Sequence, residues 1–180
     1  MPLSPRVLAK RLAAIELVVF DVDGTMTDGG MWLSDAAGEM KCFDVKDGLG
    51  IVLLRATGIV TGIVSARTSA VVTRRARELK IRHVIQGLQN KADAIPMLAR
   101  RTHVKPANML FMGDDVNDLP LLERVGVSAA PADAAREVLA MADYVSPKPG
   151  GHGAVRDVCE QLLHARGHTP RTALDLLLAK

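Results

Sequence analysis

Short apolar runs alternate with amphipathic stretches along most of this chain. Leu17–Phe20 is apolar, partly β-branched, and ends at Asp21 and Gly24, the pattern of a buried strand that closes on a turn. Ile59–Val64, Val84–Ile85, Met109–Met112 and Val127–Ala130 repeat it, each ending at a polar residue or a turn. The stretches between predict helices over Leu49–Ala56, Ser69–Leu79, Asn90–Arg100, Asp118–Val125, Ala134–Met141 and Ala154–Ala165. Asn90 is placed to cap the segment after it, and Gly58, Gly126 and Gly167 stand where glycine commonly stops a helix. Pro96 removes a donor inside the Asn90 segment and predicts a kink there. Strand and helix at this rhythm predict an α/β fold, doubly wound around a mostly parallel sheet. One stretch breaks the rhythm. From Thr27 to Phe43 the chain predicts a β-hairpin inserted after the first strand, with strands around Met31–Leu33 and Met40–Phe43 and a turn over Asp35–Gly38.

Composition narrows the class. The chain has 180 residues, 48% of them hydrophobic, enough for one buried core, and neither repeat nor low-complexity linker divides it. One domain over residues 1–180 is therefore expected, with a tail from about 168. Net charge is only +3, the Lys and Arg residues are dispersed, and aromatics are 3%, which argues against a nucleic-acid partner. No apolar run has the length of a membrane span. The first twenty residues lack the continuous apolar block of a secretory leader, so a cytoplasmic protein is expected. Cys42 and Cys159 make neither a metal spacing nor a disulfide framework and are expected to be free thiols.

In open α/β sheets, ligands bind outside the carboxyl ends of the strands. The polar residues closing the predicted strands are Asp21 and Asp23, then Ser65, then Asp114, Asp115 and Asp118. Carboxylates gathered at one edge repel unless something positive lies among them. A hard divalent cation bound by oxygen ligands resolves this, and Mg²⁺ suits a site that also holds a phosphate.

FDVDGTMTDGG resembles the first signature of the haloacid-dehalogenase-like phosphatases. Ser65 at a strand end resembles their second motif, Lys91 their third, and Gly113 to Asp118 (GDDVND) their fourth, all in the family's order. The resemblance implies a role for each residue. Asp21 would be the nucleophile and Asp23 the general acid and base. Mg²⁺ would be held by Asp21, Asp114 and the main-chain carbonyl of Asp23. Ser65, Ala66, Arg67 and Lys91 would contact the substrate, Lys91 also compensating charge in the transition state. Asp115 and Asp118 would support the metal through water or orient Lys91.

The gaps around the second motif hold no cap domain, so a capless phosphatase is expected. Across nearly the whole chain to about His164, DVDGTMTDGG, FDVKDGLGI, GLQNK, GDDVNDLPLLERVG, ADAAREVLAMADYV and GGHGAVRDVCEQLL look like the 3-deoxy-D-manno-octulosonate 8-phosphate phosphatases of lipopolysaccharide precursor synthesis. That likeness implies a phosphorylated keto sugar acid as substrate and a homotetramer in which each hairpin covers a neighbour's site. Met31, Trp32, Leu33 and Met40 agree, being apolar on an excursion too small for one monomer to bury. The alternative is a hairpin folded back on its own domain.

Arg67 is the first candidate for the substrate's carboxylate. Lys46 and Asp47 are further candidates, and the Gly150–Gly153 loop offers backbone donors for an anion. The chain departs from the family pattern at Ala66, where glycine is commoner and turns more easily, and at His152, where a permanent cation is common. The tail from Thr169 predicts a short helix that docks elsewhere, another subunit being one option. Two other functions stay open: a phosphatase for a nine-carbon keto-acid phosphate of the sialic-acid type, and a non-catalytic oligomerisation or regulatory module of the same fold.

Overall fold

In the computed structural model, which describes residues 3–35 and 38–179, the apolar runs become strands of a single parallel sheet. In chain order the elements are α1 (Pro5–Ala13), β1 (Leu17–Phe20), β2 (Trp32–Ser34), β3 (Gly38–Met40), α2 (Val45–Ala56), β4 (Val60–Ser65), α3 (Ala70–Glu78) and β5 (His83–Gln86). They continue with α4 (Ala94–Thr102), β6 (Met109–Met112), α5 (Leu119–Leu122), β7 (Val127–Ala130), α6 (Arg136–Met141), β8 (Tyr144–Val145), α7 (Ala154–Ala165) and α8 (Pro170–Leu178). The six-stranded sheet runs β5-β4-β1-β6-β7-β8, every neighbouring pair parallel, and β2 pairs with β3 as a separate antiparallel hairpin.

Strand alternation divides the core in two. Val18 and Phe20 of β1 face the layer that carries α1, α2, α3, α7 and α8, while Leu17 and Val19 face α4, α5 and α6. Successive strands step away from β1 in one direction to β4 and β5, and in the other to β6, β7 and β8. The crevice between β1 and β6 is thus a topological switch point, where such folds bind ligands.

Several boundaries differ from the sequence pattern, each for a local reason. Helix α2 starts at Val45 rather than Leu49, because the Asp44 side chain accepts hydrogen bonds from the Lys46 and Asp47 amides at 2.5 and 3.3 Å. The Asn90 segment is a 3-10 turn over Lys91–Asp93 followed by α4. Pro96 falls in the first turn of α4, where an N–H has no intrahelical acceptor, so its missing donor costs the helix nothing. The Asp118 segment is likewise a turn, Val116–Asp118, before the four-residue α5. The second hairpin strand is Gly38–Met40 rather than Met40–Phe43, and Ala36 and Ala37, in the predicted turn, lie outside the described residues.

Two elements had no clear signal. Helix α1 buries only Leu12, and β8 is two residues long. The tail forms α8, which packs on α2 of its own chain with Ala173 fully buried, so one face of it docks within the chain. Cys42 and Cys159 are free, and among the described residues no helix is long and apolar enough to cross a membrane.

Candidate active site

The register between β1 and β6 sets Phe20 beside Met112, so Asp21 and Asp114 leave the sheet on opposite sides of the switch point. The Asp21 amide donates to the Met112 carbonyl at 2.8 Å and fixes where the first acid emerges. Gly24 then turns at φ +88°, and a Cβ there would sit 2.0 Å from Asp114 Oδ2. Only glycine lets the two strand ends approach this closely. Thr25 Oγ1 donates to Asp114 Oδ1 at 2.9 Å and holds the second acid in place. As a result, one oxygen from each of Asp21, Asp114 and Asp118 lies within 4.8 Å of the others.

Lys91 reaches this cluster from the turn before α4. Its ammonium donates to Asp21 Oδ1 and Asp118 Oδ1, both at 2.6 Å, and its side chain is 2% exposed. The second oxygen of Asp118 accepts from the Asp114 and Asp115 amides at 2.9 and 3.2 Å, so both of its oxygens are already engaged and it positions Lys91. Asp115 has a different role, since its carboxylate caps its own turn by accepting from the Val116 amide at 2.7 Å.

Burial pushes the Asp21 carboxyl up, the Asp118 charge adds to it, and Lys91 opposes both. Burial likewise raises Asp114 to about 6, with the Thr25 hydrogen bond working against it. For Lys91, desolvation pulls downward, but Asp21 and Asp118 outweigh it and hold the ammonium above the ordinary lysine value. One lysine thus serves three clustered acids, and a further positive charge is what the site lacks. An all-oxygen donor set of this kind fits a hard divalent cation, with Asp21 and Asp114 as its carboxylate ligands. The Asp23 carboxylate stands outside the cluster; it pairs with Lys41, and Arg67 Nε lies 3.8 Å away.

A cavity of about 140 Å³ opens above these groups, lined by Asp21, Asp23, Ser65, Ala66, Arg67, Lys91, Asp114, Asp115 and Asn117. It gathers every residue of the four motifs expected at the site except Asp118, which lies fully buried behind Lys91. Ser65 ends β4 with its hydroxyl accepting from the Arg67 amide at 3.2 Å. Ala66 has no positive φ, so this turn does not require the glycine that the family pattern favours. A roomier groove of about 580 Å³ lies at the far edge between α1, β8 and α7, lined chiefly by aliphatic side chains, and no strand-end acid reaches it.

Three expectations change. Asp47 is 2% exposed and accepts from the Gly153 and Arg156 amides at 3.4 and 2.7 Å, so it secures the start of α7 rather than meeting a ligand. Lys46 is exposed and outside the cavity lining. The Gly150–Gly153 amides are spent within the chain, on Asp133, the Thr25 carbonyl, the Pro149 carbonyl and Asp47, so that loop aims no donors at an anion. Sequence reasoning missed four residues at or near the site. Asn117 and Thr25 sit inside motifs already singled out and needed only the fold. Glu39 and Lys41 carried no signal beyond their place on a short return strand.

A first-strand carboxylate, a lysine-bridged acid cluster across the switch point and a sheet without a cap domain together define a haloacid-dehalogenase-like hydrolase. The model of that family, described as haloacid dehalogenase-like hydrolase, matches residues 78–156. The 3-deoxy-D-manno-octulosonate 8-phosphate phosphatase KdsC of Salmonella typhimurium is 40% identical over 166 residues, 92% of this chain and 88% of that protein. The Moraxella catarrhalis 3-deoxy-D-manno-octulosonate 8-phosphate phosphatase, solved with magnesium ion, phosphate ion and KDO, superposes with TM-score 0.89 at 34% identity over 98% of both chains. The cobalt-bound deoxy-D-mannose-octulosonate 8-phosphate phosphatase of Haemophilus influenzae gives TM-score 0.84 at 35% identity, over 87% of this chain and 92% of that one. The chain belongs to the 3-deoxy-D-manno-octulosonate 8-phosphate phosphatase family.

Proposed function

We propose that this protein removes phosphate from 3-deoxy-D-manno-octulosonate 8-phosphate in the cytoplasm, a step in making lipopolysaccharide precursors, and that it does so with magnesium through an aspartyl-phosphate on Asp21. The observation that carries this reading is the Lys91 ammonium 2.6 Å from both Asp21 and Asp118, at the floor of a cavity that Ser65 and Arg67 share. Asp21 attacks phosphorus in line with the leaving oxygen, which takes its proton from Asp23. Water then attacks the aspartyl-phosphate, Asp23 accepts the water's proton, and phosphate leaves with Asp21 restored. Lys91 and the Ser65 hydroxyl hold the phosphoryl oxygens, and Lys91 offsets charge that builds on them. Asp21, Asp114 and the main-chain carbonyl of Asp23 would hold magnesium, which would supply the positive charge that lets an anionic nucleophile meet an anionic ester. Arg67, half exposed at the rim, takes the substrate's carboxylate.

The relatives' names supply the substrate, and the acid cluster supplies the chemistry. A phosphate-release assay on the eight-carbon and nine-carbon keto-acid phosphates, with and without Mg²⁺, tests both. Faster turnover of the eight-carbon ester, lost in chelator, is expected. Preference for the nine-carbon ester would replace the substrate, and indifference to chelator would remove the metal.

A further inference from the structure

The rim of the cavity holds a second group of charges, joined to the phosphoryl site through Asp23. Glu39, on β3, points back against its own domain. Ser69 donates its hydroxyl to Glu39 Oε2, while Lys41 Nζ and Arg67 Nη2 lie 3.2 and 3.4 Å from Oε1. The Glu39 side chain is 18% exposed, and that of Lys41 is wholly buried. The Ser69 hydroxyl and the two neighbouring cations hold Glu39 below the ordinary carboxyl range, the hydroxyl contributing most. Two cations and one hydroxyl therefore converge on Glu39, and the two cations also face Asp23, beside the cavity that Arg67 and Asp23 line. Such a set of donors recognises carboxylates as a class, whichever molecule carries them.

We propose that Lys41, Arg67 and Ser69 form the carboxylate-recognition subsite of this enzyme, and that Glu39 is its built-in occupant, displaced when the substrate's own carboxylate arrives. This rests on the reading that the substrate is a sugar acid, and it adds Lys41 and Ser69 to Arg67. The exchange is one carboxylate for another, so the cations lose no partner. The main sheet does not hold Glu39 in place: among the described residues β3 pairs only with β2, and the hairpin shares no ladder with that sheet. Glu39 then acts as a filter, since a phosphate ester without a carboxylate has nothing to put in its place.

Calorimetric titration of the free sugar acid, 3-deoxy-D-manno-octulosonate, into wild type, E39Q, E39A and R67M tests the exchange without turnover. Removing the internal competitor should tighten binding about 3- to 10-fold in both Glu39 variants, and losing a cation should weaken it about 10-fold in R67M. Equal or weaker binding in both Glu39 variants overturns the proposal. The substrate assignment fails separately. Absence of turnover on keto-acid phosphates, with tighter sugar-acid binding in E39Q, would remove the proposed reaction and keep the subsite. Turnover with unchanged binding would do the reverse.

Discussion

With its ammonium 2.6 Å from Asp21 and from Asp118, Lys91 is the counter-charge for two acids that water barely reaches. Replacing it by methionine keeps the volume and strands both carboxylates, which should cost roughly 3–5 kcal/mol, the usual result of removing one member of a buried ion pair. Urea unfolding of the metal-free K91M protein measures this, and a loss near zero would mean the acids are neutral there. Asp21→Asn leaves Lys91 paired with Asp118, so the fold should persist while phosphate release falls at least about a thousand-fold. Melting and activity on the same preparation separate the two effects. Asp114 gives a pH signature. Its folded value of about 6 lies above the ordinary 3.8, so between those pH values the carboxyl takes up a proton on folding. For the metal-free protein this contribution to stability is full below the ordinary value, falls as pH rises through the folded value, and is gone above it. Magnesium needs the ionised form, so its affinity should run the other way, dropping by up to about tenfold per pH unit below that value. Magnesium titrations at acid and neutral pH, with D114N as the control that removes the proton, give the slope.

At the scale of elements, α7 shows how a fold uses a residue that looks like chemistry. Asp47 sits within α2, and its partners Gly153 and Arg156 are 106 and 109 positions away in sequence. A carboxylate at the start of a helix satisfies free amides and complements the dipole. Asp47→Ala should therefore lower stability by about 1–2 kcal/mol, seen as a lower melting temperature, and leave the KM for the sugar phosphate near wild type. A large rise in KM without a change in melting would return Asp47 to the ligand. The contrast with Asp21 explains what was legible in the sequence. Ser65 ends a strand, Asp21 and Asp23 follow one within three residues, Asp114 follows a strand end by one glycine, and strand ends are visible as apolar runs. Their meeting then follows from the sheet order, which the alternation of strand and helix already restricts. Lys91 was placed only by its position between motifs. The Asp47 cap, the Glu39–Lys41 pair and the internal docking of α8 all depend on how separate segments fold together, and no local pattern carries that. Short elements were lost for another reason: α1 buries a single side chain and β8 is two residues, too little for any periodicity to register.

On the scale of the whole molecule, the hairpin faces two ways. Glu39 and Lys41 tie it to the chain's own site, in line with the alternative of a hairpin folded back on its domain. The rest of the hairpin is a different surface: Met31, Trp32, Leu33 and Met40 are 42%, 64%, 71% and 51% exposed, and no described segment of the same chain covers them. Four large apolar side chains on one small excursion form the kind of patch that soluble proteins bury by association. We propose a homotetramer assembled through these apolar side chains, each hairpin thereby reaching a neighbour's site as well as its own. Sedimentation should give about four times the 19.3 kDa chain mass. Trp32→Asp combined with Leu33→Asp places two charges in the contact and should release smaller species at micromolar concentration, because an unpaired charge in an apolar interface is costly to desolvate. The released chains should melt only slightly lower, since neither side chain belongs to either core cluster. A double variant that still sediments as a tetramer would place the contact elsewhere and leave the exposed patch without a partner.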